Sequence, residues 1–159
     1  MKRVPQICNS AHEAARVARP VIPRRVFSVQ ECFVVLSLDA KNVVLAKTLI
    51  AMGTATSVTV HPRDVFREAV RKNAVGVIAV HNHPSGNTAP SDEDKNLTAR
   101  LKEAGAVLGI PLLDHVILSL TGYSSMQELK ESRDNGKLDL QGWSVRVLSE
   151  SWPQPNGSR

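Results

Sequence analysis

The spacing of apolar and polar positions divides the middle of this chain into short extended runs separated by helical ones. Residues 31–38 (Glu-Cys-Phe-Val-Val-Leu-Ser-Leu) carry the first strand pattern, Asp39-Ala40-Lys41-Asn42 supply turn chemistry, and 43–52 return as a second strand. Together they predict a hairpin. Residues 53–60 read as a further extended segment. His61-Pro62-Arg63 then opens a helix in which Val65, Phe66, Ala69 and Val70 share one face and which ends near Asn73; His61 itself is read as structural. Residues 75–80 (Val-Gly-Val-Ile-Ala-Val) are apolar throughout, the pattern of a strand covered on both faces. The strand, helix, strand order leading into it predicts a parallel crossover.

Pro84-Ser85-Gly86-Asn87 break that strand, and Pro90-Ser91 announce a second helix with Ser91 as N-cap and Asp94 at its third position. Leu97, Leu101, Ala104 and Leu108 give this helix an apolar face to about Ala106 or beyond, with Gly105 and Gly109 near its end. Residues 112–119 form another strand. Thr121-Gly122 make a turn, Ser124 or Ser125 caps a short helix through Arg133, and Asp134-Asn135-Gly136 end it. Beyond Lys137, Trp143 and Trp152 stand among Gly, Ser, Pro and polar residues, which fits either a strand at 143–148 or a mobile tail. At the other end of the chain Ser10 caps a helix running through Arg19, closed by Pro20 and Pro23.

The chemistry concentrates where the 75–80 strand ends. Side chains on an extended backbone repeat every two residues, so His81 and His83 point the same way and Asn82 points opposite. The following helix start returns a carboxylate, Asp94. Two imidazoles, one carboxylate and an open position for water suit a catalytic zinc, whereas a structural zinc is more often closed by cysteines, and this stretch has none. Taken alone, Ser91 and Asp94 are better explained as a capping box variant, and the His-x-His pair shifts the balance toward a metal. Asp114-His115, a polar pair in an apolar strand, either supports the site from behind or satisfies itself within the core. Its two members face opposite ways and cannot both aim at a metal.

His-x-His followed by seven residues and Ser-x-x-Asp resembles the JAMM (MPN-type) zinc metalloprotease motif. The fuller string HNHPSG…PS.ED, with VHPRDVF before it and LGIPLLDHVI after it, is similar to the RadC family within that superfamily, over roughly residues 31–129. The resemblance implies zinc (Zn2+) held by His81, His83 and Asp94, with Ser91 helping to stabilise a tetrahedral intermediate. It also implies that Glu31, at the opening of the first strand, holds the metal-activated water as the catalytic base. The expected fold is α/β, a mixed curved β-sheet sandwiched by helices, with JAMM/MPN (cytidine-deaminase-like) architecture. The expected activity is zinc-dependent hydrolysis of an amide or isopeptide bond in a peptide or protein substrate. RadC-family proteins often carry an extra N-terminal helical region, and the chain is expected to be a short form without it.

Length and charge refine this picture. A chain of 159 residues suffices for one hydrophobic core. The division expected is a basic N-terminal arm at 1–28, the JAMM/MPN-type domain at 29–136 and a C-terminal extension at 137–159. In the arm Lys2, Arg3, Arg16, Arg19, Arg24 and Arg25 stand against Glu13 alone, so the formal net charge of +5 resides there. Such an arm either meets nucleic acid or an acidic partner, or is a solvated surface helix on a flexible connector. Cys8 and Cys32 lack CxxC spacing and read as free thiols of a reducing compartment. With no bilayer-spanning apolar run and no signal-peptide pattern, a cytoplasmic protein with no membrane association is expected. Two other functions stay open: a nucleic-acid-associated role of the DNA-repair kind attached to the RadC name, and a non-catalytic MPN-like interaction module. A zinc deaminase is disfavoured, because the PCxxC half of its signature is missing.

Overall fold

The computed structural model describes residues 4–127 and 146–147. Its centre is a mixed sheet in the order β2-β1-β3-β4-β5-β6, formed by β1 (Cys32–Leu38), β2 (Val44–Met52), β3 (Gly76–Asn82), β4 (Leu112–Leu118), β5 (Gly122–Ser125) and the two-residue β6 (Arg146–Val147). Among the described residues it is flanked by the helices α1 (Ala11–Ala18), α2 (Pro62–Arg71) and α3 (Asp92–Leu108). Among the described residues no helix is long and apolar enough to cross a membrane.

Every residue of β1 and of β3 is buried, as the unbroken apolar runs predict. The period of two sorts them onto two cores. Cys32, Val34, Leu36 and Leu38 of β1 join Ile78 and Val80 of β3 and the small residues of α1 on one side of the sheet. Phe33 and Val35 join Val77, Ala79 and the apolar faces of α2 and α3 on the other. The hairpin between β1 and β2 forms as expected, with the Asp39 carboxylate accepting from the N–H groups of Lys41 and Val43 at 2.8 and 2.9 Å, and Asn42 taking the left-handed turn position at φ 58°.

Several expectations are corrected. Residues 8–27 do not stand apart as an arm or a solvated surface helix. Ala11, Ala14, Ala15, Val17 and Ala18 of α1, then Ile22 and Phe27, are buried in the same core as β1 and β3. Small side chains let this helix lie close on the sheet while Arg16 faces outward and Arg19, at its C-terminal end, lies half-buried with its guanidinium donating to Ser119 O, so the charge-based reading mistook a packed helix for a tail. The strand entering β3 from the α2 side is not its parallel neighbour: β3 pairs antiparallel with β1, and the parallel crossover is β3-α3-β4. Residues 53–60 form no strand. Gly53 N–H donates to Glu31 O at 2.8 Å and Thr54 N–H to Ser57 O at 2.8 Å, a turn so tight that a Cβ on Gly53 would lie 2.0 Å from the Ser57 carbonyl.

Two helical faces also differ in detail. Val65, Phe66 and Ala69 of α2 are buried, but Val70 is exposed; on α3 the buried line is Asp94, Thr98, Leu101 and Gly105, and Leu108 is exposed. Residues 122–125 pair with β4 as a strand, and helical structure opens directly after Ser125 at residues 126–127. Most of the helix expected through Arg133, and the 143–148 strand apart from 146–147, lie outside the described residues.

Candidate metal centre

β3 delivers the two histidines and the start of α3 delivers the carboxylate. Phe33 of β1 stands opposite His81 of β3, so His81 and His83 lie on the face shared with α2 and α3, and Asn82 turns to the α1 side. Asn82 is fully buried and ties three backbone groups together. Its Oδ1 accepts from Cys32 N–H at 2.7 Å, while its Nδ2 donates to Phe27 O at 2.7 Å and to Gln30 O at 2.9 Å. The residue between the two histidines thus fixes the backbone on both sides of Glu31.

α3 begins with the capping box the sequence predicts. Ser91 Oγ accepts from Asp94 N–H at 3.1 Å and the Asp94 carboxylate accepts from Ser91 N–H at 2.8 Å. Capping occupies only part of Asp94, whose carboxylate also meets both imidazoles. His81 Nε2 and His83 Nε2 lie 3.0 Å apart, His81 Nε2 is 3.1 Å from Asp94 Oδ1, and His83 Nε2 is 3.2 Å from Asp94 Oδ2. The three residues form a cluster able to hold a metal ion. Tetrahedral bonds of 2.0–2.2 Å to nitrogen and oxygen separate neighbouring donor atoms by roughly 3.3–3.5 Å, so this set fits zinc with small adjustments.

The electrostatics follow from the crowding. Burial pushes the Asp94 carboxyl upward, but its hydrogen bonds to His81 and His83 outweigh that and hold it far below the usual carboxylate range. For His83 burial works downward and is overcome by the Asp94 carboxylate and the Asn87 carbonyl, so its pKa is raised. Burial raises Glu31, with the two histidines opposing it. Full burial, then the nearby His81, keep His115 well below the ordinary histidine value.

Glu31, Ser91, His81, His83 and Asp94 all line one cleft of about 800 Å³. The 55–60 loop forms one wall, and the first turns of α3, with Leu97 and Arg100, form the other. Continuing the β1–β3 register by two residues sets Glu31 level with His83. Behind the cluster, His81 Nδ1 lies 2.8 Å from His115 Nε2, and Phe33 stacks on His81 with ring centroids 6.0 Å apart. Asp114 turns away, accepting from Ser125 Oγ at 2.7 Å and from Gln127 N–H at 3.1 Å. The pair therefore splits as strand geometry requires, His115 to the site and the half-buried Asp114 to Ser125 and the Gln127 N–H.

Two contributors escaped the sequence reading. Thr98 sits on a face read as leucine-lined, although its place one turn after Asp94 on the same helix was a usable signal. Asn82 was noted only for pointing away from the histidines.

A model of the RadC-like JAB domain matches residues 8–132, a span that takes in α1 and so begins well before the motif-bearing part. Among curated relatives, a UPF0758 protein of Thermotoga maritima is 43% identical over 128 residues, covering 80% of this chain and 56% of the relative. One of Staphylococcus aureus strain NCTC 8325 is 51% identical over 112 residues, covering 70% of this chain and 51% of the relative. The chain spans about half the length of these relatives.

Proposed function

The chain belongs to the family of RadC-like JAB domains, and on that footing we propose that it is a zinc-dependent hydrolase of amide or isopeptide bonds, acting on a peptide or protein. The observation that carries this reading is the approach of two imidazole nitrogens and a carboxylate to 3.0–3.2 Å of one another in an open cleft. A zinc ion held by this donor set supplies Lewis acidity and brings the pKa of a coordinated water toward about 7.

The chain's own residues supply the rest. Glu31 lines the cleft beside the ligands, and burial raises its pKa, the direction that suits a carboxylate taking up and releasing a proton. Its carboxylate oxygens take the proton from the attacking water and pass it to the leaving nitrogen. Ser91 Oγ spends a lone pair on Asp94 N–H, which leaves its hydroxyl proton to donate to the developing oxyanion. A non-catalytic module has no use for a complete ligand set with a buried carboxylate beside it, so these residues favour the enzyme.

The test is Glu31→Gln. It should keep metal binding and thermal stability and lose turnover of a peptide or isopeptide substrate by roughly 10²–10⁴. An unchanged rate would remove Glu31 from the mechanism, and a zinc-loaded wild type inert on every amide and isopeptide offered would count against the hydrolase.

A second reading rests on a different observation. Arg16, Arg19 and Arg24 line one pocket of about 320 Å³ on the α1 side of the sheet, with Arg19 stacked 4.3 Å over the Phe27 ring. This favours a nucleic acid partner that places a backbone phosphate among the guanidinium groups. Arg16→Ala with Arg24→Ala should weaken single-stranded DNA binding and flatten its salt dependence. Equal binding by the double variant, or none by the wild type, refutes the reading.

A further inference from the structure

The hydrogen bonds behind His81 form a directed chain, and its direction follows from counting protons. Thr98 Oγ1 lies 2.7 Å from the backbone oxygen of Asp94, one turn earlier on α3. Two oxygens this close need a proton between them, and only the hydroxyl has one to give. Met126 Sδ also lies 3.2 Å from Oγ1, but a thioether is the weaker acceptor and the single proton goes to the carbonyl. Thr98 Oγ1 is also 2.7 Å from His115 Nδ1. With its proton already committed, the hydroxyl oxygen can only accept here, so His115 carries its proton on Nδ1.

His115 is 1% exposed, and among the described residues its ring has His81 and Thr98 as hydrogen-bond partners and no carboxylate, the Asp114 carboxylate accepting from its backbone N–H instead, conditions in which an imidazole stays neutral. Its other nitrogen, Nε2, is then an acceptor, and it faces His81 Nδ1 at 2.8 Å. His81 must therefore carry a proton on Nδ1, so that Nε2, 3.1 Å from Asp94 Oδ1, is the nitrogen presented to the cleft and to a metal. His83 reaches the same state by a shorter route, because its Nδ1 lies 2.7 Å from the Asn87 carbonyl, which can only accept. Both imidazoles are thereby set to offer Nε2.

We propose that Thr98, acting through His115, is a positioning residue that sets the metal-facing tautomer of His81. This inference rests on the metal reading above. It also links two ligands, because the hydroxyl that orients the His81 side is held by the backbone of Asp94. Removing the hydroxyl takes away the acceptor of His115 Nδ1. A His115 proton that moves to Nε2 then donates to His81 Nδ1 and drives the His81 proton onto Nε2, where it competes with the metal.

The experiment compares the wild-type chain with Thr98→Val, which keeps the shape, and Thr98→Ser, which keeps the hydroxyl. Long-range ¹H–¹⁵N NMR on metal-free protein reads the tautomers, and zinc affinity is read by competition with a chromogenic chelator. In the wild type His81 and His115 should both carry a proton on Nδ1. Thr98→Val should bind zinc about 10–100-fold more weakly and shift the His115 signals, and Thr98→Ser should restore both. A His115 proton on Nε2 in the wild type overturns the proposal, as does wild-type zinc affinity in Thr98→Val. If Thr98→Val fails to fold, the wild-type tautomers decide. If the wild type takes up no zinc, the metal reading fails and the NMR result still tests the proton chain.

Discussion

Asn82→Leu separates the scaffold of this site from its chemistry. Leucine has the branched shape of asparagine with bulkier ends, so no cavity opens, but all three side-chain hydrogen bonds vanish. The Cys32 N–H and the Phe27 and Gln30 carbonyls lose their partner, at about 1–3 kcal/mol for each buried polar group left unpaired. Gln30 is only half-buried and can recruit water, so a total loss of about 3–5 kcal/mol is expected. Against a typical stability of about 5–15 kcal/mol, this lowers the melting temperature by roughly 10–20 °C. Urea denaturation of metal-free protein, followed by circular dichroism, gives the difference directly. Asn82→Asp is the companion variant: it keeps an acceptor for Cys32 but turns an anionic oxygen on two carbonyls, and should lose as much or more. A loss below about 1 kcal/mol in Asn82→Leu would refute the view that this residue anchors the backbone around Glu31.

Gly105→Ala should destabilise the fold by about 1–3 kcal/mol despite alanine's better helix propensity, because its Cβ would lie 2.5 Å from the Ile110 carbonyl and 3.2 Å from Phe66; an unchanged or higher melting temperature contradicts that packing. Burial, assisted by Glu13 and opposed by Arg16 and Lys47, pushes the Cys8 thiol from 9.0 up to about 11, and burial raises Cys32 as well. Native protein at pH 8 should therefore leave both thiols unreacted with a disulfide reagent while urea exposes two, and rapid native labelling would disprove the burial. For Cys8 the folded pKa lies above the unfolded one, so its contribution to stability is complete below about pH 9 and is lost as pH rises through 11. Denaturation midpoints in that window should fall by the equivalent of roughly 3 kcal/mol, less in Cys8→Ala.

The parts legible in the sequence are those where one residue pattern admits one geometry. The apolar run before His81 had to be a central strand, His-x-His had to share a face, and Ser91 with Asp94 had to cap a helix. What escaped reading depends on who the neighbours are. The alanines of α1 keep a helical period, yet whether that face meets the sheet or water is decided by β1 and β3, and the arginines obscured it. Residues 53–60 have strand-like composition but no strand to pair with, since β1 already pairs with β2 on one side and β3 on the other. Whether β3 meets a parallel or an antiparallel neighbour depends on chain tracing that local pattern does not carry. Thr98 looked like an ordinary polar residue on an apolar face until its hydroxyl met His115.

The measurement that tests the central claim most directly is zinc stoichiometry. The chain is stripped with chelator, reloaded with zinc at neutral pH, dialysed and analysed for metal, beside His83→Ala treated identically. Two nitrogens and a carboxylate held 3.0–3.2 Å apart predict one zinc per wild-type chain and a near-complete loss in the variant. A wild type that retains no zinc, or a His83→Ala chain that retains as much as the wild type, would contradict the assignment of His81, His83 and Asp94 as a metal centre.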